Sequence, residues 1–211
     1  MLKVAAALIA GLVTMGGWAV VTVKSLPEYY VAGQQYTIEF QIRQHGHNFL
    51  SDLEPQLLVK LGGGDEQRIP AKNLGKGTYS VAFTAPRAGP LYLTIKSSFG
   101  ASDLRLYPAT VVASGANPAR MSQMDRGRVL FVAKGCNACH ANSDLIDRPD
   151  NQQIAVGPPL GGRRLARDYV IAKVKSPSSQ TMPHLGLSDA EAAAIATFLS
   201  GGPAAATGGG R

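Results

Sequence analysis

Apolar residues recur at every second position through the first half of the chain and at helical spacing through the second, with the change near Ala113. A period of two sets one face of a strand on a core, and a period near 3.6 sets one stripe of a helix there. A chain that shows both, one after the other, is expected to form two domains of different class. The alternation is visible at Tyr36, Ile38, Phe40 and Ile42, at Tyr79, Val81 and Phe83, and at Leu91, Leu93 and Ile95. Strands are expected near 18–24, 36–43, 54–61, 66–70, 77–84, 90–97 and 103–112, parted by Gly62-Gly63-Gly64, Gly75-Lys76-Gly77 and Ala88-Gly89-Pro90. So many short strands within residues 18–113 predict an all-β, immunoglobulin-like sandwich.

Ser114-Gly115-Ala116-Asn117-Pro118 opens a short linker over 114–120, and residues 121–201 read as an all-α domain. Helices are expected over 121–134, 165–175 and 188–199. Ser188 with Glu191 forms a capping box at the start of the last. Ile195, Phe198 and Leu199 would then meet Val129, Leu130 and Phe131, and Gly127 would let the two helices cross closely. Tyr169, Val170 and Val174 are expected to turn toward a pocket. The tail 202–211 has no apolar periodicity and is expected to be flexible.

The chain has 211 residues, of which 45% are hydrophobic and 17% charged, so a disordered or coiled-coil protein is excluded. The net charge of +7 is shared between the halves without a cluster of Lys and Arg, and nucleic-acid binding is not expected. Lys3 before the apolar run Val4–Val13 reads as an export leader. Residues 1–17 are therefore a signal peptide, with Gly17 and Ala19 as a small-x-small cleavage site, or an N-terminal membrane anchor if the run extends to Val23. Both readings place the rest of the chain in the periplasm or its equivalent, soluble after cleavage or held by its N-terminus.

The second half holds Cys136-Asn137-Ala138-Cys139-His140, a C-x-x-C-H sequence, the attachment signature of c-type haem. Thiols three positions apart on a helical turn can each form a thioether to one porphyrin vinyl group, and His140 is then held beneath the iron. C-x-x-C alone also occurs in thioredoxin-like and half-zinc sites. The first would need a βαβ setting and the second another ligand pair, and the sequence has neither. Downstream, Ser176-Pro177-Ser178-Ser179-Gln180-Thr181-Met182-Pro183 is a polar loop presenting one methionine, whose soft thioether suits the face of iron opposite an imidazole. Met182 is taken as the distal ligand. Its alternative is a packing methionine, and His184 is the competing ligand. In Gly157-Pro158-Pro159-Leu160 a backbone carbonyl, with Pro158 the candidate, is placed to accept the other ring N–H of His140 and fix its orientation. Arg163 and Arg164 are candidates to pair with propionates.

Gly127 with Phe131, Cys136/Cys139/His140, Gly157-Pro158-Pro159-Leu160, Met182-Pro183 and a closing helix with Phe198 together resemble class I cytochrome c over residues 119–201. The resemblance implies one covalently bound haem c, His/Met ligation and one-electron transfer. Trp18-Ala19-Val20-Val21, Leu26-Pro27, Val31-Ala32-Gly33 and Arg43-Gln44-His45-Gly46 are similar to the YtkA/FixH-like β-sandwich family, which implies an extracytoplasmic module linked to membrane oxidases and metal handling.

His45 and His47 would share one face of an extended strand and so could bind copper, but only with a third ligand that the sequence does not identify. A six-coordinate iron leaves no position for a substrate, so the chain is expected to carry electrons and not to be an enzyme. Its expected partners are redox proteins, among them a membrane oxidase or a quinol-oxidising complex. A copper-handling assembly factor for an oxidase is the alternative, and a haem-based gas sensor with a labile Met182 a third.

Overall fold

The computed structural model describes residues 17–145, 156–178 and 180–201. The leader or anchor expected over residues 1–17 lies, but for Gly17, outside the described residues, as does the tail expected over 202–211.

Eleven strands form among the described residues: β1 (Ala19–Val23), β2 (Tyr30–Val31), β3 (Gln35–Gln44), β4 (Asn48–Phe49), β5 (Gln56–Leu61), β6 (Glu66–Pro70), β7 (Lys72–Gly75), β8 (Thr78–Thr84), β9 (Gly89–Lys96), β10 (Leu104–Arg105) and β11 (Ala109–Val112). One sheet runs β1-β3-β8-β7 with β4 added to β3, and the other runs β2-β11-β9-β5-β6 with β10 added to β9. The pairings are antiparallel except β2 with β11. Alternation decides which side chains face inward: Ile38, Phe40, Ile42, Tyr79, Val81 and Phe83 of one sheet and Leu57, Val59, Leu91, Leu93 and Ile95 of the other are buried in a common core. Register puts Phe40 opposite Tyr79, and their rings stack with centroids 5.8 Å apart.

The strands missing from the sequence expectation are short or exposed. β2 and β4 have two residues each, and all four residues of β7 are exposed, so none can display an apolar alternation. The single strand expected over 103–112 is divided into β10 and β11 by Leu106-Tyr107-Pro108, where the proline has no N–H to give to a ladder.

Three helices follow: α1 (Gln123–Ala133), α2 (Arg167–Lys175) and α3 (Asp189–Leu199), with a single 3-10 turn at Cys136–Ala138. Ser122 caps α1 by accepting the N–H of Asp125, and the Ser188/Glu191 capping box opens α3. α1 and α3 cross at Gly127, where a Cβ would stand 2.7 Å from the carbonyl carbon of Ala194 and 2.8 Å from Cβ of Phe198. The rings of Phe131 and Phe198 meet edge to face at 5.7 Å. On α2, Val170 and Val174 are buried, but Tyr169 is 54% exposed with the Lys173 ammonium over its ring.

β1 joins the two halves. All five of its residues are buried, although alternation alone would leave every second one in water. Its outer face is covered by the end of α1. Gly135, in the left-handed region at φ 75°, lies so close that a Cβ would stand 2.5 Å from Val20 Cγ1 and 2.7 Å from the Val21 carbonyl oxygen. Thr22 Oγ1 donates to the carbonyl of Lys134 at 3.4 Å, and Lys134 Nζ donates to the carbonyl of Lys24 at 2.7 Å while pairing with Glu191 at 2.7 Å. Arg126 donates to the carbonyl of Leu26 at 2.6 Å, and the N–H of Met121 to Glu28 at 3.0 Å.

Candidate haem-attachment site

α1 ends at Ala133, and the left-handed Gly135 turns the chain out of it into the 3-10 turn that carries Cys136. The N–H of Cys139 and that of His140 both donate to the carbonyl of Cys136, at 3.2 and 2.9 Å. Both cysteines and the histidine are thus set on one short turn, half-buried against the helical core. Burial pushes the Cys136 thiol up to about 12, with the neighbouring Cys139 adding to the rise and Lys134 opposing it; burial also raises Cys139. Thioredoxin-type exchange needs a thiolate stabilised near neutral pH, and this setting does the opposite.

Nδ1 of His140 lies 2.9 Å from the carbonyl oxygen of Pro158. A carbonyl can only accept, so the proton belongs on Nδ1, and Nε2 keeps its lone pair for a metal. The segment bearing that carbonyl is laced to the motif: the N–H of Gly157 donates to the carbonyl of Cys139 at 3.0 Å, that of Leu160 to the carbonyl of Ala141 at 2.8 Å, and that of Gly162 to the Asp144 carboxylate at 2.8 Å. Gly157 lies directly against the imidazole, where a Cβ would stand 2.5 Å from Nδ1 and 3.0 Å from Nε2. Only glycine permits that approach. Sequence reasoning gave the segment to Pro158 and did not see the need for Gly157, since the sequence does not show that this backbone lies against the ring. These residues fit haem c: two thiols on one turn, and an imidazole whose free nitrogen is fixed by a hydrogen bond on the other.

Met182 lies in the irregular stretch between α2 and α3, half-buried against the apolar core. The loop residues on either side of it meet the N-terminal half: His47 Nε2 is 3.1 Å from the carbonyl oxygen of Thr181, and Gly46 packs on the ring of Pro183. Arg163 and Arg164 direct Nη1 to the carbonyls of Pro159 and Gly201, at 3.4 and 3.5 Å.

The expectation that His45 and His47 share a strand face is corrected. β3 stops at Gln44, and His45 (φ 52°) and Gly46 (φ 80°) are both left-handed, so the two histidines sit in a turn and not on an extended strand. The His45 ring packs on Trp18 with centroids 5.4 Å apart, while His47 reaches Thr181. Among the described residues no group of three or more His, Cys, Asp or Glu could hold a metal ion, and copper finds no support.

Residues 122–199 match the family model for cytochrome c oxidase, cbb3-type, subunit III, which makes this segment similar to a c-type cytochrome domain and supports haem-based electron transfer with covalently bound haem c. That match leaves the β-domain outside it, and no curated protein matches the chain. Solved structures similar to part of the chain include the Lin-41 filamin domain (15% identity, 46% of this chain and 93% of that one, TM-score 0.37). Others are a β-glucosidase from Listeria innocua (11%, 45% and 16%, 0.31) and the superoxide reductase neelaredoxin from Ignicoccus hospitalis (11%, 46% and 82%, 0.31). The chain spans less than a fifth of the β-glucosidase, and at these scores the likenesses bear on neither fold nor function. No helix among the described residues is long and apolar enough to cross a membrane.

Proposed function

We propose that this chain is a mono-haem c-type cytochrome that acts as a one-electron carrier or electron-donating subunit of an extracytoplasmic respiratory chain. The observation that carries the reading is the His140–Pro158 pairing at 2.9 Å, set within a C-x-x-C-H turn inside the segment similar to a cytochrome domain. Cys136 and Cys139 would hold the haem by thioethers, and Nε2 of His140 and the Met182 sulfur would bind its iron. Bound there, haem c supplies a reversible one-electron couple. The chain contributes the rest. Pro158 orients the imidazole and raises its basicity, Gly157 lets the backbone shield it, and the thioether of Met182 raises the potential relative to a bis-histidine pair.

With His140 and Met182 both bound to the iron no position would be left for a substrate, and the reading is of an electron carrier rather than an enzyme. The β-domain, read as an immunoglobulin-like sandwich of YtkA/FixH type, fixes the haem domain on or near a membrane complex. The matched family's own description names a cbb3-type oxidase, and a membrane oxidase or quinol-oxidising complex is the partner this reading favours. The leader-like residues 1–17 agree with a periplasmic site of action. Protein matured with a haem-attachment system tests the reading: it should be red, give the spectrum of haem bound by two thioethers, and show a methionine-to-iron charge-transfer band when oxidised. Colourless protein, or a band that survives Met182→Ala, would overturn it.

A further inference from the structure

The Met182 loop has no regular structure of its own, and its two flanking residues rest on a turn of the β-domain, Thr181 meeting His47 across 134 positions of chain. That turn is rigid. It closes β3 onto β4 with left-handed His45 and Gly46, as a tight hairpin requires. The N–H of His47 donates to the carbonyl of Gln44 at 3.0 Å, that of Gly46 to the carbonyl of Arg43 at 3.3 Å, and that of His45 to the carbonyl of Trp18 at 3.0 Å. The His45 ring packs on Trp18, and the Arg43 guanidinium lies 4.8 Å from the centre of the Phe49 ring.

From this support two contacts reach the loop and bracket Met182. His47 Nε2 faces the carbonyl of Thr181 at 3.1 Å and must donate, because a carbonyl only accepts. Gly46 lies against Pro183, where a Cβ would meet ring carbons at 3.3 and 3.5 Å. The hairpin cannot swing away freely, since β1, its neighbour in the sheet, is fastened to the ends of α1 and α3 through Gly135 and Lys134.

We propose that the His45–Gly46–His47 turn of the β-domain is a positioning element for the distal ligand: through His47 and Gly46 it holds Thr181 and Pro183, and so holds the Met182 sulfur against departure from the iron. His47 is a positioning residue that never touches the metal. The proposal rests on the reading of Met182 as the distal ligand.

The test uses the full-length holoprotein and imidazole as a competing ligand. Imidazole binds the oxidised iron when methionine leaves, so its apparent affinity reports how firmly the loop is held, while loss of the charge-transfer band reports the same event optically. His47→Ala should raise imidazole affinity about fivefold, the equivalent of the ~1 kcal/mol of one hydrogen bond. His47→Gln, which keeps an N–H donor, should recover part of that change. Tyr92→Phe, at an exposed position on β9 in the other sheet, should leave the affinity unchanged. If the wild type shows the band and H47A binds imidazole no more than twofold better, the positioning role is wrong while the ligand reading stands. If the wild type lacks the band, the ligand reading fails and takes this proposal with it.

Discussion

Gly157 shows how a small residue can define the surroundings of an imidazole. Its backbone lies against the His140 ring, and the next residue supplies the carbonyl that holds Nδ1. Gly157→Val should therefore push the segment away and break the His140–Pro158 hydrogen bond, which on the proposed reading orients the ligand of the iron. The expected outcome is a raised reduction potential and a lowered yield of mature holoprotein, measured by spectroelectrochemistry and haem stain, and an unchanged potential would show that the pairing does not tune the iron. C-x-x-C-H and the proline-rich segment stand out in the sequence because motif spacing and turn formation are properties of short stretches. The need for glycine at 157 does not, because it arises from a contact between residues 17 positions apart.

Lys134 is a second such residue. It is 4% exposed, and its ammonium bridges Glu191 and the carbonyl of Lys24. Burial acts to raise the Glu191 carboxyl, but hydrogen bonds from Lys134 and Ser188 outweigh it and hold the group below its ordinary value. A depressed acid stabilises the fold above its unfolded value, about 4.3, and that contribution is lost as pH falls through the lower folded value. Urea unfolding followed against pH should show the wild type losing more stability through this acid range than Glu191→Gln; parallel curves would contradict the pairing.

At the scale of elements, the crossing of α1 and α3 depends on Gly127. Adding a methyl there sets it against the Ala194 carbonyl group and the Phe198 side chain, with no flexible end that can move aside. Gly127→Ala should cost roughly 1–3 kcal/mol, the usual penalty of overpacking, less the small gain in helix propensity. A shift in the denaturation midpoint measures it, and a stabilised variant would mean that the helices cross elsewhere. The long strands and the three helices could be read from periodicity and caps, because local pattern and burial agree there. β4 and the turn before it could not. Gln44-His45-Gly46-His47 looks like a continuation of β3, and only the left-handed conformations of His45 and Gly46 end the strand.

Across the whole molecule, the two halves are joined by more than their short connection. β1 is buried on both faces, and Lys134 and Arg126 donate to carbonyls of the other half. None of this was legible, since Lys134 and Gly135 look like an ordinary helix end until β1 is seen beside them. The β-domain and the helical domain should therefore unfold in one transition, with haem absorbance and far-ultraviolet dichroism changing together. Lys134→Met, which leaves Glu191 without its cation, should lower the midpoint by the equivalent of roughly 3 kcal/mol. Two separate transitions in the wild type would show that the halves are independent.

On the proposed reading, haem is joined covalently to this chain at Cys136 and Cys139. The mass of the purified, acid-denatured protein tests it most directly. The expected mass is that of the polypeptide plus one haem, retained after denaturation, with that stable single-haem species lost when both cysteines are changed to serine. A mass equal to the bare polypeptide, or a haem that is released when the protein unfolds, would contradict it.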